Sequence, residues 1–408
     1  MPWFEWISLL VRWFHVIAGI AWIGASFYFI WLDNSLRTPP DWKKEKGIKG
    51  DLWAVHGGGF YEVAKYTYGP EKIPPTLHWF KWEAYTTWLS GMALLVLVYY
   101  FGASAYLIDP RVQAFTPAQA IAYGLLFIFV GLGLYEAACR SKLGQHPKVF
   151  AVFLAALVVF ACWLSTYLFS GRGAYIHVGA LIGTIMVGNV FFNIIPAQRK
   201  MVDAVTHKKD IDPAWGLGAK LRSVHNNYFT LPLLFIMISN HYPMTYQHEL
   251  NWLVLVIIIG LSAYVRHYFN LKHHHIKKPS ILIFGALGMV LLALWVSWPK
   301  SPTANALTDS ADKVAQTQAI QIEGLSEIDK QVLQIIQVHC VSCHAAAPSD
   351  PIFRTAPLGL MLDTWQQIEI HAAKIVNRTS VTKDMPLMNK TNITEQERQR
   401  LQQWLNQR

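Results

Sequence analysis

Eight long apolar stretches constrain this chain more than any other feature of its sequence. Hydrophobic residues make up 53% of the 408 residues and charged residues only 15%, against about 25% charged residues in soluble proteins. Crossing the hydrocarbon core of a bilayer takes roughly 20 apolar residues in a helix. The sequence therefore predicts a polytopic helical membrane protein whose surface contacts lipid. The eight stretches lie at about 3–32, 82–101, 118–136, 148–170, 174–196, 223–241, 248–268 and 280–298.

Lys and Arg divide the loops between these stretches into two groups. The loops after the first, third, fifth and seventh stretches hold 20 Lys/Arg, whereas those after the second, fourth and sixth hold two, Arg111 and Arg172. Basic loops stay cytoplasmic in membrane proteins, so both termini are predicted to lie on the side of the membrane opposite the cytoplasm. This topology accounts for the net charge of +10, and nucleic acid is not an expected partner.

The polar loop at about 33–81 is long and contains a glycine triplet at Gly57 to Gly59, directly after His56. Such a triplet allows either tight turns with positive φ or close approach of the backbone to a ligand. Both interpretations remain open from the sequence.

A strong chemical motif lies near the C-terminus, in Cys340-Val341-Ser342-Cys343-His344. The spacing C-x-x-C-H is typical of covalent attachment of c-type haem, with the thiols of Cys340 and Cys343 bonded to the porphyrin and His344 bonded to the iron. A zinc site would need further ligands at suitable spacing, and the sequence has no second C-x-x-C. Cys139 and Cys162 lie in or beside apolar stretches, where a cysteine usually acts as a small hydrophobe.

The segment around Met385-Pro386 resembles the Met-Pro loop of small class I cytochromes c. Met385 is therefore the preferred second axial ligand of the haem iron, with Met388 as the alternative. A Met/His pair raises the haem potential, which suits an electron acceptor. Pro357 resembles the proline whose carbonyl orients the ligand histidine in that family, and so is a predicted outer support of the site.

The predicted fold is accordingly all-α, with an eight-helix membrane bundle in residues 1–298 and a class I cytochrome c domain in residues 322–408. A polar, aromatic-free linker at 299–321 joins them. The last stretch, Thr394 to Gln407, is a predicted helix that opens with a Thr-x-x-Glu capping box.

Ionisable side chains inside membrane helices are costly and are candidates for function. Two of His15, His177 and His225 could ligate a haem b between helices. Alternatively, each histidine could hydrogen-bond a serine or a backbone carbonyl of a neighbouring helix.

With these residues in view, the chain resembles the bacterial membrane-integral urate oxidases, also called urate hydroxylases of the PuuD type, and the likeness extends over nearly its whole length. The matching segments are 12–16 with 22–24, the His56 glycine loop, 79–84, 177–179 with 193–198, 222–228 and the C-terminal cytochrome.

The resemblance implies oxidation of urate to 5-hydroxyisourate with oxygen from water and without hydrogen peroxide. The electrons would pass through the c-type haem to a downstream cytochrome c or terminal oxidase. A planar, weakly acidic purine calls for amide and guanidinium donors. Candidate substrate-binding residues are Asn189, Asn193, Arg222, Asn226 and Asn227, and candidate catalytic residues are Arg12 and Glu83, the latter as a general base.

Two other functions are compatible with the sequence. One is a membrane-anchored cytochrome that oxidises quinol, and the other is a transporter or metal-handling protein with a redox sensor. Under the urate oxidase hypothesis the haem is predicted outside the cytoplasm, whereas purine breakdown is usually cytoplasmic, so electrons would have to cross a bilayer of about 30 Å. That distance calls for an intermediate carrier, such as haem b, or for a substrate site near the outer face.

Overall fold

The computed structural model describes residues 2–109, 112–273, 276–298, 324–346, 348–350, 356–357 and 360–408. The predicted linker 299–321 and Arg111 lie outside the described residues. The described chain is mostly helical. Its α-helices, in chain order, are α1 (Pro2–Ser35), α2 (Asp41–Lys44), α3 (Trp82–Leu94), α4 (Pro117–Arg140), α5 (Pro147–Leu168), α6 (Gly171–Gly188), α7 (Ile195–Thr206), α8 (Pro213–Ser239), α9 (Pro243–Tyr246), α10 (Asn251–His273), α11 (Ser280–Val296), α12 (Glu327–His339), α13 (Trp365–Ile370), α14 (Ala372–Val376) and α15 (Glu395–Asn406).

The eight predicted apolar stretches all coincide with helices of this set. Five helical segments are long and apolar enough to cross a membrane: Trp6–Ser35, Pro117–Arg140, Pro147–Leu168, Gly171–Thr206 and Asn251–Lys272. The helix Ser280–Val296 is apolar but shorter. The described structure therefore supports a helical membrane protein, while the count of eight spans stays a prediction.

Two of the long helices continue through π-helical turns. After α3 the chain winds through Leu95–Tyr100 and, after a short break, through Ala103–Leu107. After α6 it passes through Asn189–Ile194 into α7, so that one continuous helical segment runs from Gly171 to Thr206. A π-turn adds a residue to the local ring of hydrogen bonds and often occurs at functional sites.

The membrane-type helices share one large apolar core around α6. This helix packs against α4, α5 and α8, and α10 closes the bundle against α5 and α8. Ile128, Tyr175, Ile182 and Leu255 are almost completely buried between these helices. Many other large apolar side chains of the same helices stay exposed, as Phe129 and Val152 do. A large exposed apolar surface is expected where lipid, rather than water, surrounds the protein.

The loop 33–81 contains a two-stranded antiparallel hairpin, so the all-α prediction is wrong for this segment. Strand β1 (Ile48–His56) pairs with β2 (Gly59–Tyr66), and His56 lies opposite Gly59. Gly57 and Gly58 form the connection with φ of +57° and +81°, the backbone conformation that two-residue hairpin turns require. Of the two interpretations of the glycine triplet, the structure contains the turn.

A buried lysine fastens this hairpin. Lys43 of α2 donates to the carboxylates of Asp51 and Glu62, one on each strand. Lys65 of β2 forms a 2.5 Å ion pair with Asp33 at the end of α1. Polar contacts therefore tie the hairpin to the end of the first long helix.

The C-terminal residues 324–408 have an apolar core of their own. Helices α12 and α15 pack together and bury Val332, Ile336, Leu401 and Trp404. Helix α15 begins at Glu395 with Thr394 as its N-cap, and the reciprocal bonds between Thr394 and Glu397 are both present. This confirms the predicted capping box and final helix.

The C-terminal unit lies against one end of the helix bundle. Its helix α14 packs against the Ala103–Leu107 segment, and Asn377 Nδ2 donates to Tyr106 Oη at 3.1 Å. The same end carries the loops after α3, α5 and α8, which are the three loops predicted to be poor in basic residues. We call this end the junction face.

Hydrogen bonds connect these loops to one another. Ser170 donates through its amide to Leu107 O and through its hydroxyl to Tyr106 O, at 2.9 and 2.7 Å. At Gly171 an added Cβ would lie 2.0 Å from Tyr246 O, so only glycine fits there. The junction face is consequently a tightly packed platform.

Candidate functional site

The main candidate site is a cavity of about 600 Å³ between the helix bundle and the C-terminal unit. We call it the junction cavity. From the C-terminal unit it is lined by Cys340, His344 and Met385, together with apolar side chains that include Leu360 and Ile375. Its volume lies within the roughly 300–1,000 Å³ of cofactor and small-molecule sites. The structure thus brings three of the predicted haem residues to one cavity.

The C-x-x-C-H motif follows directly after α12, whose last turn positions it. Cys340 accepts hydrogen bonds through its carbonyl from the amides of Cys343 and His344, at 3.2 and 2.9 Å. These bonds fold the motif into a tight turn in which Cys340 is buried and Cys343 is partly exposed. Burial raises the pKa of the Cys340 thiol to about 12, so this thiol is protonated at neutral pH when it is free.

The ring of His344 is held by a backbone carbonyl. Its Nδ1 lies 3.0 Å from Leu360 O. Because a carbonyl oxygen can only accept, Nδ1 carries the proton, and Nε2 of the neutral ring has a lone pair that could bind a metal. Burial lowers the pKa of His344, with the bond to Leu360 acting in the opposite direction. A neutral imidazole with one oriented nitrogen is the form that binds a metal.

The predicted role of Pro357 is therefore corrected. The carbonyl that orients His344 belongs to Leu360, and the Pro357 carbonyl accepts from the Leu360 amide at 3.1 Å. Pro357 supports the turn that presents the acceptor, rather than supplying the acceptor. The sequence identified the segment but misplaced the contact by three residues.

Met385 lies on a loop that a buried arginine fixes. Arg398 of α15 donates through one terminal nitrogen to the carbonyls of Met385, at 2.9 Å, and Thr379. The Met385 amide also donates to Arg378 O at 3.1 Å. These bonds hold the loop beside the cavity. The side chain of Met388, the alternative ligand, lies outside the described part of the structure.

These residues fit a covalently attached porphyrin. Two thiols at the required spacing, an imidazole with its Nδ1 already bonded and a thioether all belong to one motif-bearing unit beside a cavity of suitable size. The apolar lining would shield the ring from water, which is one way in which proteins tune a haem.

The helix bundle supplies the other wall of the junction cavity. Arg172, at the start of α6, lines it beside Tyr106 and Tyr246. Arg172 Nε donates to Tyr99 Oη at 3.1 Å, and its guanidinium carbon lies 5.1 Å from the centre of the Tyr106 ring. The sequence indicated Arg172 only as a topological charge.

A second group of polar residues lies at the far end of α6 and α8. Asn189 is at its centre: its Nδ2 donates to Asn226 Oδ1 at 2.8 Å, and its Oδ1 accepts from Arg222 at 3.0 Å and from Tyr135 Oη at 3.2 Å. Arg222 also pairs with Glu136 at 2.8 Å. We call Tyr135, Glu136, Asn189, Asn193, Arg222 and Asn226 the amide cluster.

The amide cluster joins four of the five predicted substrate-binding residues. Asn193 lies 3.4 Å from both carboxylate oxygens of Glu136, which ties it to the cluster. The fifth, Asn227, points elsewhere and bonds Asn270 and Arg266. Tyr135, Arg266 and Asn270 were not anticipated, because nothing in the sequence separates them from the many other tyrosines, arginines and asparagines.

The three candidate histidines for a haem b lie in different surroundings. His15 Nδ1 is 2.9 Å from Ser90 Oγ and 3.1 Å from Thr87 O. His177 Nδ1 bonds Gly173 O at 2.8 Å, and His225 Nδ1 bonds Tyr135 Oη at 2.7 Å. Within the described residues, no hydrogen bond or ring contact joins any two of these histidines. His15 therefore makes the bonds that the alternative predicted, to a serine and a carbonyl of another helix, whereas His177 bonds a carbonyl of its own helix and His225 bonds a tyrosine hydroxyl.

Neither of the two candidate catalytic residues is among those that line the junction cavity. Glu83, in the first turn of α3, has Oε1 3.7 Å from His78 Nε2, and its Oε2 is buried without a hydrogen-bond partner in the described structure. Arg12 lies on α1 with an exposed side chain. Neither contacts the amide cluster through a hydrogen bond in the part of the chain that the structure describes.

Fold and site together define a helical protein of membrane type with a small C-terminal unit that carries a C-x-x-C-H motif beside a cavity of about 600 Å³. The family described as Urate oxidase N-terminal matches residues 2–297, and the chain belongs to this family. Membership implies an oxidoreductase that acts on urate. No curated protein and no solved structure matches the chain significantly.

Proposed function

We propose that this chain is a membrane-bound urate oxidase that converts urate to 5-hydroxyisourate and passes the electrons to a c-type haem on its C-terminal unit. The oxygen atom comes from water, and no hydrogen peroxide is formed. One observation carries this proposal: Cys340, His344 and Met385 line a cavity whose other wall consists of residues within the family match. The urate oxidase region and the proposed electron acceptor thus meet at one place in a single chain.

The chemistry balances with a one-electron acceptor. Urate takes up one water molecule and loses two electrons and two protons. The haem, when bound, supplies a one-electron acceptor that delivers electrons to a downstream cytochrome c or terminal oxidase. His344 and Met385 would hold the iron, and the thiols of Cys340 and Cys343 would hold the porphyrin.

The protein around the haem would then set its properties. The Leu360 carbonyl holds the His344 ring in the orientation for ligation, and Arg398 holds the Met385 loop. Ligand identity and hydrogen bonding to the ligands are among the main determinants of haem potential. A Met/His pair would keep the potential high enough to receive electrons from urate.

For localisation we propose the bacterial cytoplasmic membrane, with both termini on the periplasmic side. The support is the distribution of Lys and Arg, 20 against two, between the two sets of loops. The C-terminal unit packs against the junction face, where the loops are poor in basic residues. Covalent haem attachment outside the cytoplasm agrees with this arrangement.

A haem b in the helix bundle remains a second hypothesis for the electron route. His15 and His177 both bond a backbone carbonyl through Nδ1. Ligating histidines commonly make such a bond. The Nε2 of His15 would then be its ligating atom, whereas the Nε2 of His177 lies 3.4 Å from Tyr100 Oη. A pyridine haemochrome assay decides the matter, because haem b content equal to zero in purified, active protein contradicts the hypothesis.

The test of the function is an anaerobic titration of isolated membranes with urate. The expected result is the absorption band of reduced c-type haem, with 5-hydroxyisourate as the product. Reduction by a quinol analogue but not by urate would contradict the proposal and favour a quinol-oxidising cytochrome. Reduction by neither would also contradict it and would favour a redox-sensing membrane protein.

A further inference from the structure

The position of Arg172 is unusual for a basic residue in this chain. Of the 22 Lys and Arg in the loops between the predicted spans, only Arg111 and Arg172 belong to the loops after the second, fourth and sixth spans. Positive charge is generally depleted on that face of a membrane protein. An arginine that occurs there, and that lines the junction cavity, calls for an anionic ligand.

The geometry of Arg172 suits a planar ligand. Its Nε donates a hydrogen bond to Tyr99 Oη. Its guanidinium carbon lies 5.7 and 5.1 Å from the ring centres of Tyr99 and Tyr106. Among the described residues, Tyr99 is the one hydrogen-bond partner of this guanidinium. The terminal NH1 and NH2 groups are therefore available as a two-pronged donor, which is the geometry that recognises delocalised oxyanions.

The same wall of the cavity supplies aromatic surface. Tyr106 and Tyr246 line it with Arg172, and Tyr106 is held in place by the 3.1 Å bond from Asn377 of the C-terminal unit. A purine offers a flat π-face and an edge of oxygen and nitrogen atoms. An arginine fork with neighbouring tyrosine rings is complementary to both features.

Distance favours this wall over the amide cluster. Arg172 is the second residue of α6, and Asn189 directly follows the end of that helix. The two are therefore separated by 17 residues, or about 25 Å at 1.5 Å per residue. The predicted haem residues lie at the Arg172 end. Because electron tunnelling decays exponentially with distance, a substrate at the junction cavity needs no further carrier, whereas one at the amide cluster does.

We propose that urate binds on the bundle wall of the junction cavity, with Arg172 as the residue that binds its anionic edge. This inference rests on the proposed function and specifies where it occurs. Urate gains one water molecule and loses two protons and two electrons. When bound, the haem would supply the one-electron acceptor, and the external acceptor would take up the two electrons one after the other.

Four proteins test the proposal: wild type, Arg172→Met, Arg172→Lys and Arg199→Met. Arg199 is an exposed arginine of α7 outside the cavity, and so serves as the matched control. Urate binding is measured by calorimetry on dithionite-reduced protein, in which bound urate cannot be oxidised. Haem-stained gels and thermal unfolding verify that each variant is folded and carries haem.

We expect Arg172→Met to weaken urate binding at least tenfold, Arg172→Lys to weaken it less, and Arg199→Met to leave it within twofold. Unchanged binding in Arg172→Met would overturn the assignment. A shift in haem potential at unchanged urate affinity would also overturn it, because Arg172 would then act on the haem carboxylates. If wild type itself neither binds nor oxidises urate, the proposed function fails, which is a distinct outcome.

Discussion

The amide cluster and the junction cavity lie at opposite ends of α6 and differ in what their polar groups do. In the amide cluster, Asn189 has protein partners at both its amide nitrogen and its carbonyl oxygen. At the junction cavity, Arg172 is bonded through Nε and faces open volume. The polar groups of the amide cluster hydrogen-bond one another, whereas Arg172 has donors that could bind a ligand.

This difference distinguishes polar side chains that stabilise a membrane domain by bonding one another from polar side chains that can bind a ligand. A polar group left unpaired in an apolar environment costs free energy, so helices that carry amides tend to pair them with one another. The amino-acid composition of the helices is compatible with either kind of polar group. The hydrogen-bond partners of each donor and acceptor are needed to distinguish a ligand site from a group of polar side chains that bond one another.

The largest expected effect is on electron delivery and comes from a residue that lines the junction cavity. Replacing His344 by Ala removes the proposed proximal ligand of the haem, and we expect urate-dependent reduction of the acceptor to fall to background while the helix bundle stays folded. The measurement is anaerobic reduction of an external cytochrome c by purified protein. Ser342→Ala, which keeps the C-x-x-C-H spacing, is the control and should retain the rate. Retained electron delivery in His344→Ala would refute the ligand assignment.

A smaller effect on the same side is expected for Met385→Ala. Under the proposed function the thiols of Cys340 and Cys343 would still hold the porphyrin, but loss of the thioether ligand should lower the haem potential by part of the roughly 0.8 V range that axial ligands span. Redox titration with haem-stained gels measures both properties. Met388→Ala is the matched control. If Met388→Ala lowers the potential and Met385→Ala does not, the ligand is Met388.

The amide cluster should respond in stability rather than in affinity. Arg222→Met removes one of the two arginine partners of Glu136, the other being Arg140, and one of the donors to Asn189 Oδ1. Removing one partner of a partly buried polar pair costs about 1–3 kcal/mol. We expect a lower unfolding temperature in detergent with urate affinity retained. A large loss of urate affinity at unchanged stability would move the substrate site to this cluster.

The smallest expected effect is at Arg398. Arg398→Met removes the bonds to the carbonyls of Met385 and Thr379, and we expect a loss of about 1–2 kcal/mol in the stability of the C-terminal unit. The Met385 ligand should also be displaced at a lower temperature. Absorbance of the Met-ligated ferric haem during heating reports this. Arg400→Met, on the exposed side of α15, should behave like wild type.

Local signals allow a large part of this structure to be predicted. The long helices follow from apolar length, and the final helix follows from the reciprocal cap between Thr394 and Glu397. The C-x-x-C-H motif and Met385 are close enough to a family pattern to be assigned to one site, and the structure places Cys340, His344 and Met385 at one cavity. These features depend on residues near in sequence or on fixed spacing.

The remaining features depend on contacts between distant segments. The acceptor for His344 is a main-chain carbonyl, that of Leu360, and a carbonyl has no signature in sequence. The hairpin escapes prediction because two φ-positive glycines can serve a turn or a ligand equally. Arg172 reads as a topological charge, since its neighbours Tyr99, Tyr106 and Tyr246 are distant from it in sequence.

The two walls of the junction cavity belong to one chain, and this has a kinetic consequence. The bond from Asn377 to Tyr106 joins these walls. Under the proposed function, transfer from substrate to haem is therefore a first-order process whose rate per molecule is independent of dilution. Delivery to a separate acceptor is second-order and slows in proportion as that acceptor is diluted. Stopped-flow traces at several protein concentrations would resolve the two phases by this dependence.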